Sequence, residues 1–210
     1  MSDAVAGSRV RGAGRMDLRA RLLAALAGEA PPSSDFELFP GPPPPLDTAL
    51  RPAGVLCAFH EEDGRLILTK RASGLRHHPG QIALPGGKVD PGDADEIAAA
   101  LREAHEEVGL PPRRVEILGR LPPHRTVTGF AMVPIVGLVG GPFEPVPEAG
   151  EVEEVFEVPF EHVADPASYR VERRLWRGDW RAYYIAPWGP YYIWGATARV
   201  LRGLALRLAA

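Results

Sequence analysis

The sequence predicts a mixed α/β fold, a sheet covered by helices. Three observations lead there. Runs with strand periodicity and runs with helix periodicity alternate along the chain rather than segregating into halves. One amphipathic helix, near residues 95–108, sits between strand-like runs on both sides. The chain has 210 residues, 45% hydrophobic and 24% charged, the ordinary composition of a globular protein with one substantial core.

The elements follow in order. Residues 1–15 are rich in Gly, Ala, Ser and Arg and are expected to be mobile. Asp17 is placed to cap a short helix over residues 18–27, with apolar side chains at 18, 22, 23 and 26. Residues 30–47 include the run FPGPPPPLD, expected to be extended or polyproline-like. This divides the chain into a tail, helix and arm over residues 1–47 and a domain over residues 48–210. Residues 53–60 and 65–71 read as a hairpin, with Asp63-Gly64 at its tip. The helix over residues 95–108 follows, then strands at 115–121, 130–139 and 151–158. Pro159 suits the first position of a short helix ending at Val163. Residues 169–176 and 180–186 form a second hairpin around Gly178-Asp179, and residues 194–208 a final amphipathic helix.

Composition excludes several function classes. A net charge of −3 argues against non-specific nucleic-acid binding through overall electrostatics. Cys57 is the one cysteine, so no internal disulfide forms, and no Cys/His spacing suits zinc. Cys57 falls in a strand, where a buried structural role is expected. No apolar run approaches the ~18–20 residues that cross a bilayer. No signal-peptide pattern opens the chain, so a cytoplasmic location is expected, with neither membrane nor nucleic acid as a partner.

The central helix carries the chemistry. Ile97, Leu101, Ala104 and Val108 fall within roughly 60° of arc, an apolar stripe that packs on the sheet. Asp93 and Asp95 suit the N-cap and first turn, Gly109 the C-cap, and Pro111-Pro112 forbids continuation. On another face stand Glu103, Glu106 and Glu107. At ~100° per residue, Glu103 and Glu107 project about 40° apart and Glu106 about 60° to the other side of Glu103. A solvated face is the ordinary reading of charged helical residues. Three like charges this close repel, however, and a bound divalent cation resolves the conflict. Mg²⁺ takes oxygen ligands, typically one or two carboxylates plus substrate phosphates. Arg102, four residues before Glu106, can pair with it and aim a carboxylate.

The run from Gly87 to Leu110, with Arg102-Glu103-Ala104-His105-Glu106-Glu107-Val108-Gly109-Leu110, resembles the Nudix box, G-x5-E-x7-R-E-U-x-E-E-x-G-U. The second half matches throughout. In the first half Gly87 lies one residue too far from Arg102, and Asp90, Asp93 and Asp95 replace the usual glutamate. That spacer is similar to the coenzyme A pyrophosphatase branch. Residues 66–87, LILTKRASGLRHHPGQIALPGG, resemble that branch's additional signature through Leu68, Thr69, Arg71, Ala72, Arg76, Gly80, Pro85, Gly86 and Gly87. Ile67 and Leu84 depart from it mildly. The segment YYIWGATARVL near the C-terminus is also similar.

The resemblance implies an α/β/α sandwich around a mixed sheet and a Mg²⁺- or Mn²⁺-dependent pyrophosphatase. It implies Glu103, Glu107 and Glu106 as metal ligands, with a Gly86 or Gly87 carbonyl completing the set, and a catalytic role for these glutamates with Arg102. The implied substrate is coenzyme A or a derivative, a small molecule; a homodimer is compatible with the sequence. The alternatives are hydrolysis of another nucleoside diphosphate derivative, such as ADP-ribose or a dinucleotide, and a non-catalytic nucleotide-binding module.

Arg71 and Arg76 suit phosphate, because a guanidinium matches phosphate oxygens with paired donors. His78, beside His77, and Lys88 are further candidates for substrate phosphate, each against the plain reading of an exposed polar side chain. Glu151, Glu153 and Glu154 form an acidic strand edge; the resemblance allows an extra ligand or base from there, Glu154 or a neighbour, and charge guarding the strand edge is the default reading. Arg125 and Thr126 border the same region. Trp188, Tyr191, Tyr192 and Trp194 read as core packing, or as a surface for adenine or pantetheine.

Overall fold

The computed structural model describes residues 9–39, 45, 49–176 and 178–210. Of the tail expected over residues 1–15, residues 1–8 lie outside the described residues, as does most of the proline run, and residues 9–15 belong to a helix instead. The first helix, α1 (Arg9–Ala27), starts well before Asp17, so Asp17 lies inside it and does not cap it. Leu18, Leu22 and Ala25, at spacings of four and three, are buried in the core that α1 shares with the sheet and the last two helices, and that burial holds the element in place.

The described strands follow as β1 (Ser33–Ser34), β2 (Arg51–His60), β3 (Leu66–Arg71), β4 (Ile82–Ala83) and β5 (Gly86–Lys88). Next come α2 (Glu96–Val108), β6 (Val115–Arg120), β7 (His124–Arg125), β8 (Phe130–Val139), β9 (Val152–Val158) and α3 (Phe160–Ala164). The chain closes with β10 (Arg170–Trp176), β11 (Asp179–Ile185) and α4 (Gly195–Leu208). The predicted elements are present, most within two residues of their expected ends. Pro159 precedes α3 as its N-cap rather than standing at its first position. The short strands β1, β4, β5 and β7 were beyond periodicity, which needs four or more residues to register.

Strand β2 is the centre of a mixed sheet. It pairs in parallel with β8 from Arg51↔Phe130 to His60↔Val139. On its other side it pairs antiparallel with β5 at one end and with β3 at the other. Strand β3 then pairs with β9 and β4, and β8 with β6 and β7. Both faces of β2 are covered. Val55, Cys57 and Phe59 join the core beneath α1, α3 and α4, while Leu56 and Ala58 join the core beneath α2. Burial on both faces explains why this strand reads as a near-continuous apolar run. The fold is the mixed α/β sandwich that the sequence predicts. Strands β10 and β11 form a separate antiparallel hairpin.

One glycine lets α2 approach the sheet. A Cβ at Gly54 would lie 1.9 Å from the Glu96 carbonyl oxygen. Asp95 caps α2 by accepting from the Ala98 N–H at 2.9 Å, and Gly109, at φ 72°, ends it.

Candidate active site

Helix α2 presents its three glutamates to three different environments. Glu107 is 5% exposed, under the β5 glycines, and accepts a hydrogen bond from the Gly86 N–H at 3.1 Å. Glu103 is half-buried beside Gly87, where a Cβ would come within 2.4 Å of its Oε1. Glu106 points outward and pairs with Arg102 at 3.0 Å. A side chain at Gly87 would therefore displace the Glu103 carboxylate from its present place.

Burial pushes the Glu107 carboxyl up to about 7; the Gly86 N–H and the Arg71 guanidinium oppose this, and the Glu103 and Glu151 charges reinforce it. Burial also raises Glu103, against the pull of Arg102. Arg71 Nη1 lies 3.9 Å from Glu107 Oε1. This is a desolvated pair of carboxylates with incomplete positive compensation. Its oxygen donors fit a hard divalent cation. Among the described residues no three His, Cys, Asp or Glu side chains converge closely enough to hold a metal ion alone. A cation here would therefore draw the rest of its shell from water, backbone and substrate phosphate, as Mg²⁺ commonly does.

Arg102 holds the frame. Its Nε and Nη2 donate to the two oxygens of Asp93 at 3.0 and 2.9 Å, and Nη2 also donates to the Lys88 carbonyl at 3.2 Å. Its Nη1 reaches Glu103 at 3.1 Å and Glu106 at 3.0 Å. The hydrogen bonds from Arg102, then that from the Asp90 N–H, hold the Asp93 carboxyl below the usual carboxylate range. The aspartate cluster that departs from the usual box thus has a positioning task, tying the β5–α2 loop to the helix. Sequence reasoning did not assign Asp93 to Arg102; the nine-residue separation across a loop gave no period to read.

The remaining candidates are spread around this centre. Lys88 pairs with Asp90 at 2.8 Å. Arg76 stands exposed on the loop between β3 and β4, and His78, also exposed, lines a neighbouring groove. The three acids near β9 separate. Glu151 is the one whose charge acts on both Glu103 and Glu107. Glu153 is engaged by Lys70 at 2.7 Å and by the Ser73 N–H. Glu154 accepts from the Tyr191 hydroxyl at 2.5 Å, beside the stacked Phe156 and Tyr191 rings. Among the aromatics, Trp188 lies against His162, and Trp194 opens onto the groove.

The NUDIX domain model matches residues 50–177. An uncharacterised Nudix hydrolase, NudL, of Enterobacter sp. (strain 638) is 45% identical over 159 residues, covering 75% of this chain and 83% of the relative. NudL of Citrobacter koseri is 43% identical over 143 residues, covering 68% and 74%. Among solved structures, a MutT/nudix family protein from Enterococcus faecalis is similar with TM-score 0.48 and 18% identity, over 80% of this chain and 65% of that one. The matched family model spans more than half of the chain and contains the whole of β5 and α2, so the chain belongs to the Nudix hydrolase family.

Proposed function

We propose that this Nudix hydrolase cleaves the pyrophosphate bond of coenzyme A and its derivatives. The products are 3′,5′-ADP and 4′-phosphopantetheine, or its acyl form. One observation carries the reading. The segment similar to the coenzyme A signature runs through β3, β4 and β5 and meets the glutamate helix at Glu107. Arg71 from its start stands 3.9 Å from that carboxylate, and Gly86 from its end donates a hydrogen bond to it.

The chemistry is attack of water on one phosphorus, with cleavage of its bond to the bridging oxygen. Glu103 and Glu107 are the residues that would hold Mg²⁺ or Mn²⁺, with the Gly87 carbonyl as a further donor; Glu106, turned onto Arg102, would join them only by rotating. When bound, the metal polarises phosphorus, lowers the pKa of the water and stabilises the leaving phosphate. Arg71 is placed to bind a phosphate oxygen with paired donors. A carboxylate that the metal leaves free, such as Glu151, would take the proton of the water. Arg102 does not touch substrate in this scheme and acts by positioning Glu103 and Glu106.

The test is a matched turnover assay with Mg²⁺ or Mn²⁺ on coenzyme A, 3′-dephospho-coenzyme A, ADP-ribose and NADH, with products identified by mass. Preferred cleavage of coenzyme A to 3′,5′-ADP is expected. Preference for ADP-ribose or NADH would keep the metal helix and overturn the substrate. Tight nucleotide binding with no turnover of any of them would point to a non-catalytic module. Glu107→Gln is expected to abolish metal-dependent turnover with the fold intact.

A further inference from the structure

We infer that a second groove, beside the carboxylate site, receives the 3′-phosphorylated adenosine end of the substrate, and this rests on the coenzyme A reading above. The groove encloses about 250 Å³ and is lined by Gln81, Thr126, Arg181, Tyr183 and Trp194, with His78 at its edge. It is too small for a whole drug-sized ligand but has room for one ring system. The chain connects it directly to the glutamates. Arg71 donates its N–H to the Gln81 carbonyl at 3.0 Å, and the Arg71 side chain reaches to 3.9 Å from Glu107. A ligand spanning the two would carry its pyrophosphate at Arg71 and its nucleoside past Gln81.

Several lining groups suit a phosphorylated nucleoside; the lining also holds the Asp35 carboxylate, engaged by His124 and the Val127 N–H, and Phe39, whose ring centroid lies 5.6 Å from the Arg181 guanidinium. Tyr183 and Trp194 meet edge to face, with centroids 5.3 Å apart at 62°, and offer ring surface to a purine. Gln81 supplies an amide with both donor and acceptor, the complement of adenine's N7 and N6 edge. Arg181 is half-buried, and among the described residues no carboxylate lies within ion-pairing distance of it. Its cross-strand partner is Arg174, another cation. Directly opposed like charges destabilise a hairpin, and a phosphate dianion between or beside them relieves the repulsion. Two of the lining residues, Asp35 and Thr126, are held by hydrogen bonds. Asp35 receives the Val127 N–H at 2.9 Å and bonds the buried His124 at 3.0 Å, and Thr126 Oγ1 accepts from the Phe130 N–H at 3.0 Å. His78 has φ 55°, the one positive value among the described non-glycine residues, a strained conformation of the kind that clusters at ligand sites. The pantetheine end of the same substrate has no aromatic ring and no phosphate beyond the pyrophosphate, so it gives Arg181 nothing to bind.

The experiment is calorimetric titration, in metal-free buffer, of adenosine 3′,5′-bisphosphate and adenosine 5′-monophosphate into the full chain. Wild type, Arg181→Ala, Arg181→Lys and Trp194→Leu are compared, with circular dichroism to check folding. Wild type is expected to bind the bisphosphate at least 10-fold more tightly than the monophosphate. Arg181→Ala should lose that preference, Arg181→Lys should recover part of it, and Trp194→Leu should weaken both ligands. The KM ratio of coenzyme A to its dephospho form should collapse in Arg181→Ala in the same way. A wild type with no preference, or a preference that Arg181→Ala leaves intact, overturns the groove assignment, and coenzyme A turnover would still stand. Arg181-dependent bisphosphate binding without coenzyme A turnover overturns the substrate reading and leaves the groove.

Discussion

Glu107 is a carboxylate held where water cannot solvate it, and its cost shows as a pH dependence. Burial places its folded value at about 7, above the 4.5 of the unfolded chain. The folded protein therefore binds more protons than the unfolded chain between those values. Without metal, the contribution of Glu107 to stability is most favourable below 4.5 and is lost as pH rises through about 7. Glu107→Gln keeps an acceptor for the Gly86 N–H and removes the charge. Metal-free Glu107→Gln should exceed wild type in stability at pH 8 by up to roughly 3 kcal/mol, the two converging below the unfolded value. Urea denaturation at pH 4, 6 and 8 measures this, and equal stability at pH 8 would show that the carboxylate is not desolvated. Millimolar Mg²⁺ should stabilise wild type and leave the variant nearly unchanged. The glutamates and the Arg102–Glu106 pair were legible in the sequence, because helical spacing is a local property. The inequality among the three glutamates was not, because it comes from β5, which joins α2 through the sheet.

Helix α2 owes its position to residues on another element. Its caps, Asp95 and Gly109, are readable from local chemistry, as is its apolar stripe. Its distance from the sheet depends on Gly54 in β2, where an added Cβ would meet the Glu96 carbonyl oxygen at 1.9 Å. Gly54→Ala should force the first turn of α2 away from the sheet. A stability loss of about 1–3 kcal/mol is expected, as for overpacking elsewhere, with reduced metal-dependent turnover because Glu103 and Glu107 shift against Gly86 and Gly87. Thermal denaturation and the turnover assay check both parts; unchanged activity with lowered stability would show that the glutamates tolerate the shift. Helix α1 makes a similar point. Leu22 is fully buried in the core shared with α4, and Leu22→Ala should cost about 2–5 kcal/mol by denaturant titration. The sequence placed apolar residues on this helix but started it at residue 18, because the preceding Gly- and Ser-containing stretch lowers helix propensity, and the backbone continues as helix from Arg9 nonetheless.

Across the whole molecule, residues 33–37, which follow α1, are fastened by polar contacts over great sequence distance. His124 is fully buried, with Ser33 Oγ 2.9 Å from Nδ1 and Asp35 Oδ1 3.0 Å from Nε2. Strand β1 pairs with β7 in the same place, and Arg199 on α4 grips Glu37 at 2.7 Å. Asp35→Ala would leave a buried ring nitrogen and the Val127 N–H without their partner. A loss of about 1–3 kcal/mol is expected, together with faster cleavage after Phe36 or Leu38, measured by denaturation and limited chymotrypsin digestion. Wild-type behaviour in both would mean that the β1–β7 pairing holds the arm alone.

The sequence by itself determined the class of fold, the order of its long elements, the glutamate helix with its caps, and the family resemblance. All of these are written in periods of two to seven residues or in short runs of fixed chemistry, which a linear reading can see. The tertiary structure decided which glutamate is buried, that Asp93 positions Arg102, which of Glu151, Glu153 and Glu154 acts on the site, and where the groove lies. Each depends on groups brought together by sheet pairing and loop closure from positions 9 to more than 100 residues apart, such as Gln81 with Trp194 or Asp35 with His124. No local pattern encodes those meetings, because the contact free energy is realised only once the core has formed.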